Sequence, residues 1–128
     1  MPTLDVFGVV VSDMAAAVAF YRRLGLVFPD GAEKEEHVSA TLGGGVQLML
    51  DAEDLIRQLE LDDRLGGRGR VALAVRCADP AEVDRIYAEL AADGHGTRPP
   101  WDAFWGQRYA VVHDPDGTPV DLYAPLPS

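Results

Sequence analysis

The chain has a single cysteine, Cys77, and a single lysine, Lys34. One cysteine excludes an intrachain disulfide, and a reducing cytoplasm is the compartment this composition points to. Positive charge is scarce throughout, with 11 basic residues against 21 acidic ones and a formal net charge of −10. Binding to phosphate backbones depends on clustered lysine and arginine, so nucleic acid is not an expected partner. The densest basic stretch, Arg64, Arg68 and Arg70, is separated mostly by glycine and reads as a solvated joint. No apolar run is long enough to span a bilayer. Met1-Pro2-Thr3-Leu4-Asp5 has neither the basic start nor the apolar stretch of a signal peptide, and no membrane partner is expected. Gly43-Gly44-Gly45 lacks a following Lys-Ser/Thr, so it is a turn and not a phosphate loop.

The chain does have apolar content and a repeat. Its 128 residues, 48% hydrophobic, fit one domain or two small modules sharing a core. Ser12-Asp13-Met14 through Leu24 aligns without gaps on Ala78-Asp79-Pro80 through Leu90. Each segment opens with an aspartate suited to cap a helix, and Pro80 stands at a first helical position. Ala17, Phe20, Tyr21 and Leu24, and likewise Val83, Ile86, Tyr87 and Leu90, recur at helical spacing, so each helix presents one apolar stripe. Gly25 and Gly94 read as helix stops.

A β-prone run precedes each helix, Val6 to Val11 and Arg70 to Cys77. Further strands are expected at Leu26-Val27-Phe28, His37 to Leu42 and Val46 to Leu50, and then at Gly96 to Arg98, Gln107 to His113 and Pro119 to Ala124. The expected fold is therefore α+β: a βαβββ module over 1–51, a linker over 52–68 with a short helix from Ala52 to Leu61 and a glycine hinge at Gly66-Gly67-Arg68-Gly69, and a second βαβββ module over 69–128. Such modules bury one sheet face each, so two curved mixed sheets around a shared cleft are expected.

Two local features suggest where a site would lie. His113-Asp114-Pro115-Asp116-Gly117 is a tight turn between strands, with Pro115 presetting φ and Gly117 supplying positive φ. Period-two alternation after it puts Asp121 and Tyr123 on one face and Val120 and Leu122 on the other. Trp101, Phe104, Trp105, Tyr109 and Tyr123 then concentrate the aromatic residues late in the chain, both tryptophans lying in Pro99-Pro100-Trp101-Asp102-Ala103-Phe104-Trp105-Gly106. Read as a proline-stiffened loop, this segment offers either a stacking wall for a flat ligand or a contact between modules or subunits. Asp102 and Asp121 supply carboxylates, with Phe28 and His37 contributing from the first module; Phe7, alternating with Val6, is expected to pack under the helix. Cys77 is expected to act as a small buried hydrophobe.

On Val11-Ser12-Asp13-Met14, Phe20-Tyr21-Arg22-Arg23-Leu24-Gly25, the duplicated pattern and Asp114-Pro115-Asp116-Gly117-Thr118-Pro119-Val120-Asp121-Leu122, the chain resembles the vicinal oxygen chelate superfamily. That family includes glyoxalase I, extradiol dioxygenases, fosfomycin-resistance enzymes and bleomycin-resistance proteins. The resemblance implies a divalent-metal site in the catalytic members, whose ligand positions match Val6, Gln47, Arg70 (or Ala72) and Asp121. Valine and alanine have no side-chain lone pair and a guanidinium repels a cation, so no metal and no other cofactor is expected. Arg70 and Asp121 would instead form an ion pair in the vacated centre.

The resemblance extends to the metal-free bleomycin-type proteins through Trp105-Gly106-Gln107-Arg108. It implies a homodimer that sequesters a cationic or aromatic natural product, without metal chemistry, on His37, Gln47, Trp101, Asp102, Phe104, Trp105, Tyr109, Asp121 and Tyr123. The alternatives are a superfamily enzyme using Asp121 as a base or weak metal ligand, and an interaction module whose aromatic patch binds another protein.

Overall fold

The structure is a computed structural model and describes residues 4–60, 65 and 72–127. It divides into two compact units, Met1–Gly67 and Arg68–Ser128. The expected hinge at Gly66 to Gly69, and Arg64, Arg68 and Arg70, lie outside the described residues.

The first unit contains β1 (Val6–Val11), α1 (Met14–Arg23), β2 (His37–Thr41), β3 (Gln47–Ala52) and α2 (Glu53–Gln58). Asp13 caps α1, its carboxylate accepting from the Ala16 amide at 3.0 Å. The stripe of Ala17, Val18, Phe20 and Tyr21 is buried, with Met14 beside it. The sheet order is β1-β3-β2, with β1 parallel and β2 antiparallel to β3. Val11, Val38, Ala40, Leu48 and Leu50 are its buried apolar positions, and Asp51 is buried beside them. Ile56 of α2 is also buried, and α2 lies against β1 and β3, so this helix belongs to the first unit's core and not to a joint.

Two expectations for this unit are corrected. Leu26-Val27-Phe28 forms no strand, so the sheet has three strands where four were expected. The Leu26 amide is spent on the end of α1, donating to the Tyr21 carbonyl at 3.2 Å. Pro29 has no amide to donate, and its carbonyl accepts from Arg22 at 3.2 Å. Val27 is left 79% exposed, and only Phe28 turns inward. Phe7 pairs in register with buried Leu48, on the face its alternation implies, yet it remains 39% exposed.

The second unit contains β4 (Leu73–Arg76), α3 (Pro80–Ala92), β5 (Gly96–Ala103), β6 (Gln107–His113) and β7 (Pro119–Pro125). Asp79 accepts from the Glu82 amide at 2.8 Å, and the Glu82 carboxylate accepts from the Ala78 amide at 3.0 Å. The two bonds form a reciprocal cap that satisfies orphan donors at the helix start. Strand order is β4-β7-β6-β5, with β4 parallel to β7 and the remaining pairs antiparallel. Ala110, Val112, Val120, Leu122 and Ala124 are fully buried, alternating with half-buried residues on the opposite face. Cys77 is buried, and its thiol is pushed up to about 11 by burial and then by Glu82.

The proline-rich segment is also corrected. Pro99 to Ala103 continues β5 instead of forming a loop, and Phe104 to Gly106 makes the turn. The sheet accepts two consecutive prolines because β5 is an edge strand and they fall where its register with β6 shifts, between Arg98 and Trp101. Gly96 is required by contact: a Cβ there would lie 2.6 Å from the Tyr87 hydroxyl and 2.9 Å from the Ala91 Cβ on α3.

The β6–β7 turn is built on Asp114, which is fully buried. Its Oδ1 accepts from the amides of Asp116 at 2.9 Å and Thr118 at 2.8 Å. Its backbone accepts from Gly117, whose φ is 86°, at 2.9 Å. Removing this side chain strands two amide donors. Asp114→Ala is therefore expected to destabilise the protein by about 2–4 kcal/mol. Asp114→Asn, which keeps an acceptor oxygen, should cost less than half as much, both values being read from urea denaturation by circular dichroism.

Candidate functional site

Strand register in the second unit decides which side chains meet. β7 places Asp121 and Tyr123 on the face turned away from the buried alanines and valines, as the alternation implies. Tyr123 pairs with Tyr109 of β6 and with Arg76 of β4; Asp121 pairs with Val111 and Ala74. Tyr109 pairs in turn with Trp101 of β5. Trp105 reaches this group from the β5–β6 turn, its indole N–H donating to Gln107 Oε1 at 2.9 Å.

The result is a continuous chain of rings. Tyr109 stacks on Tyr123 at 6.4 Å and meets Trp101 at 5.4 Å and Trp105 at 5.3 Å edge-to-face. Phe104 meets Trp105 at 5.0 Å. Each such pair contributes about 0.5–1.5 kcal/mol beyond area burial, so the rings hold one another in place without a ligand. They are not sealed: Trp105 is 49% and Phe104 is 96% exposed. Arg98 stacks its guanidinium 3.6 Å above the Trp101 ring, so that ring face already accepts a planar cation.

Asp121 is anchored within this group. The Tyr109 hydroxyl donates a short hydrogen bond to Asp121 Oδ2. Burial, then the bond to Asp121 and its negative charge, raise the Tyr109 phenol to about 12. At neutral pH the phenol is therefore a fixed donor, and the carboxylate can accept further hydrogen bonds or a cation.

Asp102 does not join them. It pairs with Arg108 across β5 and β6, one residue out of phase with Trp101 and Tyr109, and so lies on the opposite face. Arg108 donates to Asp102 at 3.1 Å and to Asp84 of α3 at 2.9 Å, which ties both strands to the helix. These bonds raise the Arg108 pKa, the one to Asp84 having the largest effect.

His37 and Gln47 belong to the first unit. They share a sheet face with Met49 and Asp51 of β3, and His37 Nδ1 bonds Asp51 Oδ1 at 2.6 Å. Asp51 and Arg76 were not singled out from the sequence. Period-two spacing from Gln47 reaches Asp51, but its pairing with His37 needs the strand register. The other histidines pin β5 to β6: His95 Nδ1 lies 3.0 Å from the His113 carbonyl, and Thr97 Oγ1 lies 2.8 Å from His113 Nδ1.

Val6 lies beside Gln47 in parallel register, and the strand neighbour of Asp121 is Ala74, neither Arg70 nor Ala72. Val6, Ala72 and Ala74 offer no lone pair, and one oxygen of Asp121 is engaged by Tyr109. Arg70, and with it the expected ion pair to Asp121, lies outside the described residues. Among the described residues no group of three or more His, Cys, Asp or Glu side chains is placed to hold a metal ion. Among them, too, no helix is long and apolar enough to cross a membrane.

Residues 3–122 match the family model of the Glyoxalase/Bleomycin resistance protein/Dioxygenase superfamily. A glyoxalase/bleomycin resistance protein/dioxygenase from Nocardioides is 28% identical with a TM-score of 0.70, over 98% of this chain and 85% of that one. A genomically encoded fosfomycin resistance protein from Listeria monocytogenes superposes with a TM-score of 0.71 at 17% identity, covering 97% and 93% of the two chains. A lactoylglutathione lyase from Agrobacterium tumefaciens does so with a TM-score of 0.68 at 21% identity, covering 95% and 92%. The last two likenesses concern the fold alone. No curated protein matches significantly.

Because its folded phenol is raised above the unfolded value near 10, Tyr109 stabilises the protein fully below pH 10 and loses that contribution as pH rises toward 12. In an absorbance titration at 295 nm, Tyr109 should ionise only near pH 12. Tyr109→Phe should remove that step, and Asp121→Asn should move it only part of the way back, since burial is the larger cause.

Proposed function

Since the chain belongs to the glyoxalase/bleomycin resistance protein/dioxygenase superfamily, we propose that it is a binding protein of that family, which sequesters a flat, cationic or aromatic small molecule without metal chemistry. The observation that carries this reading is the chain of half-exposed rings, Trp101, Trp105, Tyr109 and Tyr123, beside the anchored carboxylate of Asp121. Rings give stacking area at small entropic cost, and a carboxylate next to ring faces favours a cation. Arg98 above Trp101 is an internal example of the same contact. The net charge of −10 adds long-range attraction for such ligands.

Sequestration needs affinity and abundance but no reacting group, so a family ligand position occupied by Val6 costs it nothing. A homodimer is part of this reading and is checked by sedimentation equilibrium. The family also holds enzymes, and the donor set argues against the metal-dependent ones: one carboxylate and one amide make a weak site for a catalytic ion.

The deciding measurement is a tryptophan-fluorescence titration with bleomycin and with a planar cationic dye. Quenching should saturate at one ligand per chain, with the compound recovered unchanged. Trp105→Ala and Asp121→Asn should each weaken binding roughly tenfold. Stoichiometric zinc, nickel, iron or manganese in the purified protein, or conversion of the compound, would overturn the reading.

A further inference from the structure

The first unit carries a histidine–aspartate pair that the ring site does not use. His37 opens β2 and Asp51 lies opposite it on β3, with His37 Nδ1 2.6 Å from Asp51 Oδ1. The two side chains differ in burial: Asp51 is 10% exposed and His37 is 52% exposed. An ionised carboxylate can only accept, so Nδ1 carries a proton, and in the neutral ring the lone pair is on Nε2. An imidazole held in one tautomer by a buried carboxylate, on a half-exposed side chain, is the arrangement that makes histidine a general base. Holding a surface side chain this way costs rotamer freedom, which a 2.6 Å charge-assisted bond offsets. The face around the pair carries Ser39 and Thr41 from β2 and Met49 from β3, so no other acid or base on these two strands competes for the ring.

We infer that His37 and Asp51 form a proton-transfer site, with His37 Nε2 as the base and Asp51 as its positioning residue, for substrates in which water or a hydroxyl attacks an activated acyl carbon. In the reaction, Nε2 takes a proton from water as the water oxygen bonds to the acyl carbon. The tetrahedral adduct then expels the alcohol oxygen, and the imidazolium gives its proton to the leaving group or solvent. One ester and one water become one acid and one alcohol. This inference is independent of the ring site, which lies in the second unit.

p-Nitrophenyl acetate is the probe. His37→Gln should lower its hydrolysis by about a hundredfold, the low end of what a positioned general base supplies. Nitrogen-15 NMR of the wild-type ring should place the proton on Nδ1. Asp51→Asn, whose amide can donate to Nδ1, should move that proton to Nε2 and lower the rate to a similar extent while the circular dichroism spectrum is retained. A wild-type ring protonated on Nε2, or an ester rate unchanged in either variant, overturns the inference. If His37→Gln does not fold, the wild-type tautomer decides.

Discussion

A buried carboxylate that accepts two backbone amides fixes the geometry of the second unit. Asp114 closes the β6–β7 turn, and that closure sets the register of the two central strands. Side chains alternate with a period of two, so a slip of one residue would send Tyr109 and Asp121 to opposite faces. The hydrogen bond between them, the stack of Tyr109 on Tyr123 and the edge contacts to both tryptophans all follow from that register. The acid at the turn sets that register. It determines that the rings and the second acid meet.

Local rules made the helices legible. Asp13 and Asp79 cap where their side chains predict, and each apolar stripe is buried or half-buried at its expected positions. The turn from Asp114 to Gly117 and the faces of β7 were legible for the same reason, since neighbours a few residues away decide them. One failure is local and the others are not. Leu26-Val27-Phe28 has strand-like composition, but the end of α1 uses the Leu26 amide and Pro29 has none to give. Pro99 and Pro100 conceal a strand because only an edge position with a register shift tolerates them. Asp102 seemed to stand beside the rings, being next to Trp101 in the chain; one residue of phase moves it to the opposite face, with Arg108 and Asp84. The partner of His37 could not be read at all before β2 and β3 were in register.

The family that the chain belongs to spans glyoxalases, bleomycin resistance proteins and dioxygenases. Here Val6 lies beside Gln47 and Ala74 beside Asp121. The second unit has invested its face in aromatic rings, and the first has a histidine aligned by an acid. The two units keep the same aspartate helix caps and the same parallel first-to-last pairing.

That pairing has a consequence for how the protein is made. In both units the opening strand pairs with the closing strand, β1 with β3 and β4 with β7, while the strands between them form hairpins. The hairpins join near neighbours and can form early; the parallel pairs close long loops and must come late. On the ribosome, β4 emerges with its apolar residues Leu73 and Val75 and has no partner until β7 follows. The last strand of the second unit is the one that unit waits for, so a chain shortened at Pro119 loses the central strand that joins β4 to β6, along with Asp121.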